Sequence, residues 1–236
     1  MNIVITGASR GIGKAIAELF AADGHFLFLT SRNEVKLYKA MEDLLNKYPS
    51  SSIKSKPFDL SKKEQAKAFG TWCLGFGIPD ILVNNAGNFL PGSVHNEEEG
   101  FLEEMIETNL YSAYHLTRTV LPKMMENPSK GSGRHIFNIC SIASLQAYAN
   151  GGAYSISKSA LYSFSKNLRE ELKPHRIKVT AVLPGAAYTD SWAATGIDKN
   201  RFMEAEDVAK MIYAVSQLSA NACVEEILMR PQLGDL

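Results

Sequence analysis

Close to its N-terminus the chain reads Ile3-Val4-Ile5-Thr6-Gly7-Ala8-Ser9-Arg10-Gly11-Ile12-Gly13. A short β-branched run breaks at Thr6-Gly7, and Gly11-Ile12-Gly13 opens a segment with Ile16, Ala17, Leu19 and Phe20 at helical spacing. Strand, glycine-rich turn and helix in that order make a phosphate cradle. Glycine permits the tight turn and the close backbone approach, and a helix N-terminus attracts the anion. The spacing G-x-x-x-G-x-G departs from G-x-G-x-x-G, and a plain glycine-rich turn between strand and helix is the alternative.

Working outward, the same alternation repeats. Phe26 to Thr30 reads as a second strand, and Asn33 to Lys47 as an amphipathic helix. Ile53 to Phe58 reads as a third strand, with Ser61 as N-cap of a helix reaching Phe76. Asp80 to Val83 is a central strand by its continuous apolar character, and a long helix is expected from about Gly100 to Met125. His135 to Cys140 and Ile177 to Leu183 are further buried strands. A helix through Ala160, Leu161, Phe164, Leu168 and Leu172 stops before Pro174. Glu204 to Leu218 gives the last helix and Val224 to Met229 the last strand. The pattern predicts one α/β domain over 1–236, a Rossmann-type doubly wound parallel seven-stranded sheet with helices on both faces. Pro128 to Gly133 reads as a surface loop. A region around 188–203, centred on Ser191 to Arg201 with Trp192, reads as a lid over the strand ends.

Tyr154-Ser155-Ile156-Ser157-Lys158 places a phenol and an ammonium one helical turn apart. A free tyrosine titrates near ~10, and a neighbouring cation favours the phenolate. Ser141, thirteen positions upstream of Tyr154, ends the apolar run, and its hydroxyl would face the helix start. Such a set suits proton transfer at a carbonyl: serine bonds the oxygen, tyrosine supplies the proton, lysine holds the tyrosine acidic. A chance Tyr and Lys pair on a solvated helix is the alternative.

The chain has 236 residues with 45% hydrophobic content, enough for one core, and its 25 Lys+Arg balance 25 Asp+Glu with no basic block. Nothing suggests nucleic acid or an anionic membrane surface. Cys73, Cys140 and Cys223 lack metal-like spacing and the five histidines form no ligand motif, so no metal is expected. The first strand begins at Asn2 and no run approaches a membrane span, from which a cytoplasmic location with reduced thiols is expected.

Thr6 to Gly13, Asn84-Asn85-Ala86-Gly87, Asn109, Ser141, Tyr154-x-x-x-Lys158 and Pro184-Gly185, in this order, resemble the short-chain dehydrogenase/reductase family over essentially the whole chain. The resemblance implies an oxidoreductase acting on a ketone, an aldehyde or the matching alcohol. Tyr154 would be the acid/base, and Lys158 would lower its pKa and bond the nicotinamide ribose. Ser141 would orient the carbonyl oxygen, and Asn109 would hold a relay water; a cap or kink is the other reading of Asn109.

For the cofactor the resemblance implies contacts from Gly7, Ser9, Arg10, Gly11, Ile12 and Gly13, from Ser31 and Arg32, and from Asp59 and Leu60, the last pair being equally natural as helix-start residues. Asn85, Ala86 and Gly87, then Pro184, Gly185, Ala187 and Thr189, complete the contacts with Tyr154 and Lys158. Arg32 after the second strand, with Arg10, points to the 2'-phosphate of NADP, so NADPH is preferred over NAD; a solvated surface charge is the alternative. Ala187 to Trp192 and the tail Glu225 to Asp235 look like bacterial sepiapterin-reductase-like members. Reductases of 3-oxoacyl thioesters and dehydrogenases of hydroxy acids share the core motifs, and a dinucleotide-sensing regulator is the reading outside enzymes. The substrate pocket is expected from Leu90, Ser141 to Tyr148 and the lid. By resemblance the long helices pair with their copies in a homodimer or homotetramer.

Overall fold

The computed structural model describes residues 1–126, 133–189 and 196–236. The expected loop at 128–133, apart from Gly133, and the centre of the expected lid, Trp192 included, lie outside the described residues. Seven strands, β1 (Asn2–Thr6), β2 (Phe26–Thr30), β3 (Ser52–Ser55), β4 (Ile81–Asn84), β5 (Arg134–Ile139), β6 (Ile177–Pro184) and β7 (Glu226–Met229), form one sheet in the order β3-β2-β1-β4-β5-β6-β7. Every pairing is parallel. The order reverses between β1 and β4, and a doubly wound sheet opens its crevice at that point, outside the carboxyl ends of the strands.

Alternation along the strands divides the core. Ile3, Ile5, Leu27, Leu29, Val83 and Phe137 face α1 (Gly11–Ala22), α2 (Glu34–Lys47) and α7 (Ala205–Ser216). Their sequence neighbours Val4, Phe28, Leu82 and Ile136 face α3 (Lys63–Leu74), α5 (Ser112–Glu126) and α6 (Gly152–Leu172). Both sheet faces are covered, which is why β1, β4 and β6 read as apolar runs rather than alternating ones.

Three expectations need correction. The third strand stops at Ser55, before the anticipated Phe58, because an edge strand bordered by Pro57 has a partner on one side only. Ser61 does not cap α3: the N-cap is Lys62, and Ser61 instead turns its hydroxyl to Asp59 Oδ1 at 2.8 Å. The long helix at 100–125 is interrupted. A short α4 (Phe101–Met105) runs into a wider π-helical segment over Ile106–Tyr111, and α5 follows. Asn109 sits in that wide turn, the kind of irregularity that a helix carries at a functional position.

Candidate active site

At the C-terminal edge of the sheet lies a cleft of about 1040 Å³. The glycine turn forms one end. Gly7 and Gly11 have φ of 64° and 52°, backbone open to glycine without the strain a side chain would bring. A Cβ on Gly7 would stand 2.8 Å from Asn85 Nδ2. The turn is tied to β4 by polar groups: Asn85 Nδ2 donates to the Thr6 carbonyl at 2.9 Å, and the Asn85 and Ala86 amides both donate to Thr6 Oγ1 at 2.9 Å. The first turn of α1 receives no side-chain cap. Its amides are thereby left for an anion, as at phosphate-binding helix starts.

The catalytic cluster is held by α6 and the turn after β5. Ser141 begins a 3-10 turn, accepting the Ala143 amide at 3.1 Å, and its hydroxyl faces the Tyr154 phenol. Ser144 Oγ donates to the Lys158 carbonyl at 2.9 Å and Ser159 Oγ to the Ser144 carbonyl at 3.2 Å, which clamps this turn to α6. Lys158 is buried, its Nζ donating to the Ile139 carbonyl at 2.8 Å and standing 5.8 Å from the centre of the Tyr154 ring. Phe89 closes edge-on against Tyr154 with ring centres 5.0 Å apart.

The electrostatics correct one expectation. Burial raises the Tyr154 phenol above the ordinary value, and the Ser141 hydroxyl only partly offsets this. Burial acts on the lysine too, bringing its ammonium from 10.5 to about 8. Burial also pushes the Cys140 thiol beside them up to about 12, leaving it a protonated packing group.

Asn109 is fully buried. Its Oδ1 accepts the Asn88 amide at 2.8 Å, and its Nδ2 donates to the Asn88 carbonyl at 3.1 Å and to Ser157 Oγ at 2.9 Å. The widened turn thus fastens the chain after Asn84-Asn85-Ala86-Gly87 to α6. A Cβ on Gly87 would lie 2.9 Å from Asn109 Oδ1 and 3.3 Å from Lys158 Nζ, which is why this position takes no side chain.

Of the residues expected at the site, Gly7, Ser9, Arg10, Gly11, Ile12, Ser31, Arg32, Asp59 and Leu60 line the cleft; so do Asn85, Ala86, Gly87, Ser141, Tyr154, Lys158, Pro184, Gly185, Ala187 and Thr189. Gly13 does not: a Cβ there would stand 2.4 Å from the Gly7 carbonyl, so this glycine serves the packing of α1 on the turn. Asn109 supports the wall from behind. Leu90 is not on the wall; its neighbours Phe89 and Pro91 are.

Lys36, Asn88, Phe89 and Leu236 went unread in the sequence, although all line the cleft. Lys36 had a signal, standing one turn beyond Arg32 at the start of α2. Leu236 had none. Among the described residues no group of three or more candidate ligands could hold a metal, and no helix there is long and apolar enough to cross a membrane.

A sheet in this order, carrying a glycine turn and a Ser, Tyr and Lys cluster on one edge, defines a nucleotide-dependent oxidoreductase architecture. The family model for short chain dehydrogenases matches residues 1–200. An uncharacterized oxidoreductase of Staphylococcus aureus (strain MRSA252) is 31% identical over 230 residues, covering 97% of this chain and 96% of that protein. Among solved structures, L-sorbose reductase from Gluconobacter frateurii complexed with NADPH and L-sorbose superposes with a TM-score of 0.89 at 27% identity, covering 98% of this chain and 95% of that one. Serine dehydrogenase from Escherichia coli has a TM-score of 0.80 at 30% identity, covering 97% of each. The chain belongs to the short-chain dehydrogenase family and is an oxidoreductase.

Proposed function

We propose that the protein is an NADPH-dependent carbonyl reductase that converts a ketone or aldehyde to an alcohol, or runs the reverse reaction. One observation carries this reading. Ser141, Tyr154 and Lys158 converge on the wall of a cleft whose other end combines an uncapped helix start, a glycine turn and the cations Arg10, Arg32 and Lys36. The fit to a dinucleotide is good: Gly7 and Gly11 leave room for the pyrophosphate, and the three cations suit a 2'-phosphate. The bound L-sorbose reductase neighbour, with its NADPH, supports the same choice.

NADPH supplies hydride when bound. The chain supplies the proton and the orientation. The Ser141 hydroxyl fixes the substrate oxygen beside the Tyr154 phenol, and the raised pKa keeps that phenol protonated at neutral pH, ready to donate. The Lys158 ammonium supplies the positive potential that favours charge developing on the phenol oxygen as its proton leaves. Asn109 maintains the route from Lys158 to solvent. Ser31, Arg32, Asp59 and Leu60 hold the adenosine end, and Pro184, Gly185, Ala187 and Thr189 border the nicotinamide end. The 188–203 segment acts as the lid. It is anchored where Ala187 pairs with Met203.

For the substrate, a sepiapterin-type ketone is the leading candidate from the tail and the Ala187 to Trp192 resemblance, with 3-oxoacyl thioesters and hydroxy acids as the alternatives. A homodimer or homotetramer acting in the cytoplasm is part of the same reading. The test is NADPH oxidation at 340 nm against a panel of diketones, aldehydes, pterin side-chain ketones and 3-oxoacyl thioesters. Turnover on one class supports the assignment. Normal NADPH affinity with no turnover on any would favour a dinucleotide-sensing regulator.

A further inference from the structure

The helix that carries Tyr154 and Lys158 begins without a cap of its own. α6 starts at Gly152 behind Gly151, which has no side chain to offer, and its first turn holds no acidic residue. Asn150 stands next to that start, yet its φ is a left-handed 57° and its Oδ1 accepts from Ser93 Oγ at 3.0 Å. The first amides of a helix have no intrahelical acceptor and need partners elsewhere. They find them in the loop after β4: the Gly152 amide donates to the Gly92 carbonyl at 3.1 Å, and the Ala153 amide donates to Glu97 Oε2 at 3.2 Å. A carboxylate placed there also meets the positive end of the helix dipole.

The loop is shaped to bring that carboxylate in. The Gly92 amide donates to the Asn150 carbonyl at 2.9 Å, Gly92 pairs with Gly151 as a parallel bridge, and the Glu97 amide donates to the Ser93 carbonyl at 2.8 Å, turning the chain back towards α6. Packing around Glu97 is close. A Cβ on Gly92 would stand 2.5 Å from Glu97 Cβ, and one on Gly152 would stand 3.1 Å from the Val94 amide nitrogen and 3.4 Å from Glu97 Oε2. Glu97 is half-buried and is not on the cleft wall, so any influence on the reaction passes through α6. What α6 presents at that end is Tyr154, its third residue. Helical side chains lean towards the N-terminus, so the Tyr154 ring leans back over the turn that this loop secures, and Phe89 of the same loop meets it edge-on. Lys158, one turn further, is fixed by other groups: its Nζ by the Ile139 carbonyl and its carbonyl by Ser144 Oγ. The two catalytic side chains of α6 are thus held from different sides.

Resting on the reductase reading, we propose that Glu97 is a positioning residue: its carboxylate closes the start of α6 and so fixes the Tyr154 phenol opposite Ser141. Loss of that carboxylate frees the first turn and displaces the phenol, while Lys158 and the glycine turn keep their places.

The experiment uses the full chain with NADPH and the panel carbonyl that the parent reduces fastest. Glu97→Ala should lower kcat about ten- to a hundredfold, between the worth of one lost cap and the cost of a misplacement of about 1 Å. KM and the Kd for NADPH should stay close to the parent's, and Tm should drop by only about 2 to 4 °C, the size of one cap in a chain of this length. Glu97→Gln keeps an oxygen acceptor and should recover most of the rate. In a Tyr154→Phe background, Glu97→Ala should cost less than about a further twofold, because the group through which it acts is gone. The Ala153 amide should exchange with deuterated water faster in Glu97→Ala than in the parent or in Glu97→Gln. A parent-like kcat in Glu97→Ala would overturn the proposal. So would the same fold-loss repeated in the Tyr154→Phe background, or an NADPH Kd weakened as much as kcat falls, since both mark a general loss of structure. Each of these leaves the reductase reading intact, whereas absence of oxidation by the parent with every carbonyl in the panel would remove both.

Discussion

Lys158 is the residue in which sequence and surroundings pull hardest against each other. Its spacing from Tyr154 was legible, but not its burial, which is a property of the packed turn after β5. With its pKa brought down to about 8, the side chain is charged below that pH and neutral above it. The kcat/KM for carbonyl reduction, which reports the free enzyme, should therefore fall as pH rises through about 8. In Lys158→Arg, which stays charged, that limb should disappear; a parent profile flat to high pH would count against the lysine.

Arg32 makes a second prediction at this scale. It is exposed on the cleft wall after β2, so a change there disturbs little packing. Arg32→Asp should cost NADPH ten- to hundredfold in kcat/KM, the worth of one or two charge-assisted bonds, and shift preference to NADH. A parent that already prefers NADH would remove this residue from cofactor choice. Gly13→Ala is a third. Its Cβ would collide with the Gly7 carbonyl and with Asn85 Nδ2, atoms held by the turn itself, so the loss of stability should be about 1 to 3 kcal/mol, read as a lower Tm and weaker NADPH binding.

Among elements, β5 carries a titration unrelated to catalysis. His135 is buried and stacked on Phe137, its Nε2 at 2.7 Å from Thr180 Oγ1, which in turn donates to the Val224 carbonyl. Thr180 therefore accepts from the ring, and the neutral tautomer carries its proton on Nε2. Burial holds the folded-state pKa well below 6.5. As pH falls through about 6.5 the unfolded chain takes up the proton first, so stability is lost on the acid side. Tm should drop between pH 7 and 5, and His135→Gln should flatten that part of the curve; equal slopes would contradict the assignment.

Element types were readable because covered parallel strands leave apolar runs and covered helices leave stripes. Boundaries were not, wherever tertiary contacts decided them: Pro57 and the sheet edge shortened β3, Asp59 drew Ser61 away from α3, and the demand of the Asn88 backbone for Asn109 widened a helical turn.

For the whole molecule, the topology places every motif that was recognisable in the sequence along one sheet edge, because parallel strands end on the same side. The place of Leu236 escaped reading for the same reason in reverse: it reaches the cleft through contacts spanning 80 or more residues, such as Tyr148 to Asp235, 87 positions apart. Leu116 and Leu168, on the helices expected to pair with their copies, are buried in the core of the chain, so charging them would unfold it rather than dissociate it. Exposed Tyr111 and Ile156 near the same helices are the better probes. Charged replacements there should shift sedimentation from oligomer to monomer with Tm little changed, and a parent sedimenting as a monomer at micromolar concentration would contradict the assembly.

The central claim is that Tyr154 donates the proton in an NADPH-dependent reduction. Its most direct test is Tyr154→Phe, measured for NADPH oxidation with the best carbonyl of the panel, for NADPH Kd and for Tm in the same preparation. The phenyl ring keeps the contact with Phe89 and removes only the hydroxyl. The account predicts a fall in kcat of ~10²- to 10⁴-fold with Kd and Tm close to the parent's, and a near-normal kcat would contradict it.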